Sequence, residues 1–211
     1  MDGLTGGINL PPSPDVPPAT LARPSPMDAD IEDVLIGPED LQRRVAELAA
    51  ELAGVYAERN PLLVGVLKGA VVFIVDLMRA MAIPLQVEFM AVSSYQGGTQ
   101  TSGAVRIVMD LQTSVEGRDV LIVEDIVDSG LTLRYLRDYL LAQRPASLAV
   151  VALLNKDIAR VDAVPIEYTG FRIPDRFVVG YGLDYAERYR NLPYIGVIKP
   201  VVTGGADGAV R

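Results

Sequence analysis

Three short, uninterrupted apolar runs constrain this chain more than any other feature. They are Leu62-Leu63-Val64-Gly65-Val66-Leu67, Val120-Leu121-Ile122-Val123, and the stretch from Ser147 to Leu154. Continuous apolarity over about four to eight residues is the mark of a strand covered on both faces. Segments of helical period lie between them. Pro38-Glu39-Asp40 places proline in a first turn and acids near the positive end of a helix dipole. Leu41, Val45, Leu48, Leu52 and Val55 then recur at helical spacing until Asn60-Pro61 stops them. Residues 70–81 are apolar nearly all round and predict a buried helix. Leu133, Leu136 and Leu140 mark another, ending near Arg144-Pro145. Leu85-Gln86-Val87-Glu88-Phe89 alternates like a strand, and the segment from Val105 to Met109 is a further candidate. Strands alternating with helices imply an α/β fold, a largely parallel sheet with helices on both faces. Ligands of such sheets gather at the carboxyl ends of the strands.

The 211 residues suffice for one domain with tails. Residues 1–30 contain seven of the fifteen prolines and few large apolar residues, so a disordered or polyproline-like leader is expected there. The domain is expected over residues 31–200, with a flexible tail over 201–211. The leader has no basic segment followed by an apolar run, which makes it a poor export signal and gives the expectation of a cytoplasmic protein. The most apolar stretch, residues 62–78, is interrupted by Lys68 and Asp76 and falls short of the ~20 clean residues that a membrane span needs. The chain has neither Cys nor His. This excludes disulfides, thiolate nucleophiles, Ser-His-Asp triads, imidazole bases and Cys- or His-ligated metals. Acid–base work falls to Asp, Glu, Lys or Tyr, and a catalytic metal would be a hard cation held by oxygens. A formal charge of −8 argues against sequence-independent nucleic-acid binding, which needs cations to displace phosphate counterions.

Chemistry concentrates where the second apolar run continues as Glu124-Asp125-Ile126-Val127-Asp128-Ser129-Gly130-Leu131-Thr132. Adjacent carboxylates at a strand end accept hydrogen bonds from neighbouring hydroxyls such as a ribose diol, or steady the water shell of a cation. The small polar residues that follow, leading into a helix, form a ready phosphate cradle. The same residues are also ordinary turn and N-cap chemistry. Lys68, beside Gly69, is an isolated cation between apolar runs; it either aims its ammonium at an anion or snorkels to water. Residues 93–103 are small and uncharged, with almost no apolar anchor, and read either as a surface hairpin tip or as a lid.

The segment from Val120 to Thr132 resembles the PRPP-binding motif of type I phosphoribosyltransferases, where PRPP is 5-phosphoribosyl 1-pyrophosphate. The remaining segments narrow the resemblance to the hypoxanthine–guanine phosphoribosyltransferases. Val66-Leu67-Lys68-Gly69-Ala70 resembles that family's pyrophosphate loop, and Ser93-Ser94-Tyr95 the opening of its mobile lid. Leu153-Leu154-Asn155-Lys156 resembles its purine-facing strand. Pro174-Asp175-Arg176-Phe177-Val178-Val179-Gly180-Tyr181-Gly182-Leu183-Asp184-Tyr185, followed by Arg190, resembles its purine-recognition segment. The signatures occur in family order and span most of residues 35–200.

The resemblance implies a mostly parallel central sheet flanked by helices, with a small hood and a lid. It implies transfer of the 5-phosphoribosyl group from PRPP to N9 of hypoxanthine or guanine, with Mg²⁺ as cofactor. Glu124 and Asp125 would orient the ribose hydroxyls. Ser129, Gly130, Leu131 and Thr132 would grip the 5′-phosphate, and Lys68, Gly69 and Arg190 the pyrophosphate. Lys156 would donate to the purine 6-oxygen, Phe177 would stack on the base, and the backbone of Val178 would read its edge. Asp128 would take the proton from purine N7. Glu124, Asp125 and Asp184 would help to hold the metal. In this family the bond before the loop lysine can be cis. A homodimer or homotetramer is the family's usual state, with neither nucleic acid nor membrane as a partner.

Overall fold

The computed structural model describes residues 25–94, 105–158 and 164–204. Most of the expected leader, the end of the expected tail and Tyr95 of the expected lid lie outside the described residues. The described residues begin before the expected boundary. Ser25 caps a short 3-10 turn, Pro26–Asp30, in a reciprocal capping box with Asp28. The Tyr194 hydroxyl donates to Asp28, and that of Tyr189 donates to Asp30 over 2.7 Å.

Strand β1 (Ile31–Ile36) leads into helix α1 (Pro38–Tyr56). Strand β2 (Leu62–Leu67) is followed by α2 (Val71–Ala80), β3 (Gln86–Ser94) and β4 (Val105–Met109). Strand β5 (Asp119–Val127), helix α3 (Leu131–Leu141), β6 (Ser147–Lys156) and β7 (Tyr168–Ile173) complete the main layer. Strands β8 (Val178–Val179) and β9 (Ile195–Ile198) then return to β1.

The main sheet has the order β4-β3-β2-β5-β6-β7, parallel except for the antiparallel edge strand β4. Its strands divide their side chains between two cores. Leu63, Leu121, Val123, Val151 and Leu153 pack with α1 and α2, whereas Leu62, Val64, Val120, Ile122 and Val150 pack with α3. That alternation is why the runs are apolar throughout: each residue type meets a helix layer whichever way it points. The expected α/β architecture with helices on both faces is therefore present. A second sheet of order β1-β9-β8 is antiparallel and forms the small hood. Two of its strands set up no period, β8 having two residues and β9 four, and β1 carries Glu32 and Asp33 inside its run.

The chain leaves β2, crosses through α2 to β3 on one side, and later enters β5 on the other side of β2. The strand order thus reverses between β2 and β5, and a crevice at the carboxyl ends of those two strands is where such a sheet takes its ligand. No helix among the described residues is long and apolar enough to cross a membrane.

Candidate active site

Two acids form the floor of this crevice. Glu124 and Asp125 lie inside β5, which continues to Val127, rather than just beyond its end as the apolar run suggested. Parallel pairing carries on past them, with Glu124 opposite Ala152 and Val127 opposite Asn155. Glu124 is buried, and burial followed by the neighbouring Asp125 charge pushes its carboxyl well above the usual range. Burial pushes Asp125 up to about 6, against the pull of the backbone N–H groups of Ile126 and Asp125 and of the Arg190 charge, while Asp184 adds to the rise. The Ile126 N–H donates to Asp125 Oδ1 over 2.8 Å. Burial of two adjacent carboxylates in this way outweighs the backbone N–H groups and the Arg190 charge that reach Asp125.

The pyrophosphate-like loop lies against that floor. The Leu67–Lys68 bond is cis, as the resemblance implied. A methyl group placed on Gly69 would sit 1.6 Å from Asp125 Oδ2, so only glycine fits here. From the other side, a methyl on Gly182 would lie 2.1 Å from the Gly69 carbonyl oxygen. Three segments remote in sequence therefore touch backbone to side chain and backbone to backbone at one point.

The segment after Gly182 brings its charges to the same place. Arg190 donates from Nη1 to the Gly182 carbonyl over 2.8 Å and pairs through Nη2 with Asp184 Oδ1, also at 2.8 Å. Glu187 Oε2 lies 3.3 Å from Arg190 Nη2 and 3.1 Å from Lys68 Nζ. Lys68 and Arg190 hold the Glu187 carboxyl below the usual range. The Glu187 N–H donates to Asp184 Oδ2 over 2.9 Å. Arg190 belongs to a turn rather than to a helix.

Beyond Val127 the phosphate-like cradle opens α3. Gly130 is its N-cap residue at φ 83°, and no side chain caps the helix. Leu131 N is 3.5 Å from Ser129 Oγ, a long contact that leaves the first turn's amides ready for an anion. Ser129 and Leu131 are exposed, while Thr132 is half-buried.

Lys156, the last residue of β6, is buried, with 2% of its side chain exposed. Its ammonium lies 2.9 Å from Asp175 and 3.5 Å from Asp128, so it links the end of β5 to the hood segment. Phe177 meets Tyr185 edge-on, with ring centroids 5.6 Å apart, and Val178 is buried in β8 opposite Val197. Ser93 and Ser94 end β3, and Ser93 is exposed.

Sequence reasoning singled out neither Glu187 nor Asp175. Asp175 stood inside a quoted motif, and Glu187 stood between Ala186 and Arg188 with Arg190 close by. Only the fold reveals that each faces a cation contributed from elsewhere in the chain.

No three carboxylates among the described residues converge into a metal cage. Mg²⁺ commonly binds through one or two carboxylates together with substrate phosphate oxygens. Glu124, Asp125 and Asp184 suit that mode, since the charge of Asp184 acts on Asp125 across the crevice.

Fold and site together define a phosphoribosyltransferase-type crevice, and a family model described as a phosphoribosyl transferase domain matches residues 34–186. The hypoxanthine-guanine phosphoribosyltransferase of Bacillus subtilis is 54% identical over 83% of this chain and 98% of its own length. That of Lactococcus lactis is 48% identical over 83% and 96%. Among solved structures, a hypoxanthine phosphoribosyltransferase from Staphylococcus aureus superposes with a TM-score of 0.82 at 45% identity, covering 86% of this chain and 98% of that one. The chain belongs to the hypoxanthine-guanine phosphoribosyltransferases, enzymes of purine salvage.

Proposed function

We propose that this crevice transfers the 5-phosphoribosyl group of PRPP to N9 of hypoxanthine or guanine, giving IMP or GMP and pyrophosphate. The observation that carries this reading is the contact of Gly69 with Asp125 and of Gly182 with Gly69, at the point where the strand order reverses. It joins the residues suited to a sugar, a leaving diphosphate and a base. Family membership supports the reaction class.

In this reading Glu124 and Asp125 accept hydrogen bonds from the ribose hydroxyls, which add donors to the buried carboxylates. The amides and hydroxyls of residues 129–132 hold the 5′-phosphate at the start of α3. Lys68, Gly69 and Arg190 receive the departing pyrophosphate. Lys156 donates to the 6-oxygen of the purine, which favours 6-oxopurines over adenine. Phe177 packs on the base, and the Val178 backbone meets its edge. Asp128 accepts the N7 proton as charge leaves the ring, a task that falls to a carboxylate in a chain without histidine. Ser93, Ser94 and Tyr95 begin a lid that excludes water from an oxocarbenium-like ribosyl centre. Mg²⁺, held by PRPP oxygens with Glu124, Asp125 and Asp184, would neutralise charge on the leaving group. The working molecule is a homodimer or homotetramer in the cytoplasm, with no nucleic-acid or membrane partner.

The test is an assay of the full-length protein with PRPP, Mg²⁺ and each of hypoxanthine, guanine, xanthine and adenine. Nucleotide formed from hypoxanthine or guanine is expected. Turnover confined to adenine, or absent with all four, overturns the reading.

A further inference from the structure

We propose that Glu187 is a built-in stand-in for pyrophosphate: its carboxylate bridges Lys68 and Arg190 and gives way when a diphosphate arrives. This rests on the proposed function, since it takes Lys68 and Arg190 as the pyrophosphate cations.

The geometry is specific. One oxygen, Glu187 Oε2, reaches both cations, at 3.1 Å from Lys68 Nζ and 3.3 Å from Arg190 Nη2. Those cations come from opposite ends of the domain and share no other acid among the described ion pairs; Arg190 pairs in addition with Asp184. The turn aims Glu187. Tyr185 and Arg188 bond each other in both directions, at 3.2 and 3.0 Å, around Ala186 at φ 51° and Glu187 at φ 61°. Two left-handed central residues make a primed turn, a conformation that ordinarily selects glycine or asparagine. The chain accepts Ala and Glu there, and the Glu187 N–H is tied to Asp184.

The pair is also made to break. The Lys68 and Glu187 side chains are 67% and 64% exposed, so water screens their attraction. Arg190 is incompletely satisfied in this arrangement: its Nη2 is shared by two acids, and its buried Nε meets no acceptor among the described residues. A diphosphate oxygen entering between the cations replaces one carboxylate oxygen with a more highly charged group. Before that, Glu187 holds Lys68 and Arg190 side by side against their mutual repulsion. Afterwards its displaced charge weakens the hold on pyrophosphate, which favours product release.

Isothermal titration of wild type, Glu187→Gln and Glu187→Gly with Mg-pyrophosphate, PRPP and IMP tests this. The glycine variant relieves the left-handed backbone and so guards against a folding defect. Both variants are expected to bind pyrophosphate and PRPP about 3–10-fold more tightly, the scale of two exposed ion pairs released. IMP, which lacks a diphosphate, should stay within about 2-fold. A merely structural role predicts the opposite, weaker binding of all three. Unchanged or weaker pyrophosphate binding in both variants overturns the inference. Wild type that binds neither PRPP nor pyrophosphate overturns the proposed function instead.

Discussion

The carboxyl end of β5 and the turn spanning residues 181–190 face each other across Gly69, and they are built on opposite principles. β5 is bonded to β2 as far as Val123, and its pairing with β6 runs on in parallel register through Glu124 to Val127. Its acids are locked in a sheet that pays for their burial with backbone order. The turn belongs to no ladder: it has two isolated bridges, Gly180 with Leu183 and Tyr185 with Arg188, and single backbone bonds from Tyr181 to Leu192 and from Gly182 to Arg190. Four of its non-glycine residues, Tyr181, Ala186, Glu187 and Tyr189, have positive φ. Ion pairs, of which that between Lys68 and Glu187 is the most exposed, hold its charges in place. The difference suits the two tasks that the proposed function assigns to these regions. Orienting a sugar calls for groups that do not move, whereas gripping and releasing a polyanion calls for contacts that exchange cheaply.

The sharpest way to break this comparison is to remove a proton acceptor at the rigid end while leaving every contact shape intact. Asp128→Asn should keep PRPP binding within about 3-fold and lower kcat by about 10²–10⁴-fold, the range for a positioned acid–base group. Steady-state kinetics beside PRPP titration measure both. Near-normal turnover would take Asp128 out of that role.

The joint between the two regions comes next. Gly69→Ala forces a methyl group into the Asp125 carboxylate, so the loop must retreat from the floor. A displacement of about 1 Å at a reacting centre costs on the order of 10²-fold. A fall of that size in kcat/KM for PRPP is expected, with hypoxanthine specificity unchanged. A variant with wild-type kcat/KM for PRPP would show that floor and turn work independently.

The same contrast explains what could be read from the sequence. The main sheet was readable because each of its buried strands meets a helix layer on both faces, and that demand writes a continuous apolar run into Leu62–Leu67 and into residues 120–123. The acids and cradle of residues 124–132 were readable because they follow such a run without interruption. The exact end of β5 was not: Glu124 and Asp125 are polar, and nothing local signals that pairing with β6 carries them inside the strand. Among the hood strands, β8 and β9 are too short to set a period, and Glu32 and Asp33 interrupt the apolar pattern of β1. Glu187 and Asp175 were hidden for a different reason. Their partners, Lys68 and Lys156, are supplied by the loop after β2 and by β6, and exposed acids beside basic residues look like any solvated surface.

Lys156 sharpens the comparison from the purine side. It is buried like the floor, yet one of its two carboxylate partners, Asp175, belongs to the hood segment and is 62% exposed. On the proposed function, Lys156→Met removes a charged hydrogen bond to the 6-oxygen, worth about 1.5–3 kcal/mol, or about 10–100-fold. KM for hypoxanthine should rise by that factor, while the Kd for PRPP stays within about 3-fold. Competition between hypoxanthine and adenine reads the loss of discrimination directly. An unchanged preference would separate Lys156 from base selection.

The smallest effect concerns stability, and here the two regions should differ in sign. The Asp125 carboxyl titrates near 6 in the folded protein and near 3.9 when unfolded. A raised folded value means the carboxyl costs nothing below about pH 4, where both states are protonated. The cost grows as pH rises to about 6 and persists above it, where the native state must bury the charge. Asp125→Asn keeps an oxygen for the Ile126 N–H and removes that charge. Thermal unfolding of the ligand-free protein in chelator should therefore show equal Tm values near pH 4. The variant should gain between pH 4 and 6 and stay ahead by a few degrees at pH 7.5, given about 2–4 °C per kcal/mol for a chain of this size. Glu187 in the turn behaves oppositely: its carboxyl is held low by Lys68 and Arg190, so its contribution is present above about pH 4 and lost as pH falls further. Glu187→Gln should then lose a little at pH 7.5 and draw level with wild type in acid. An Asp125→Asn protein less stable than wild type at pH 7.5 would mean that the floor, like the turn, is held together by its charges.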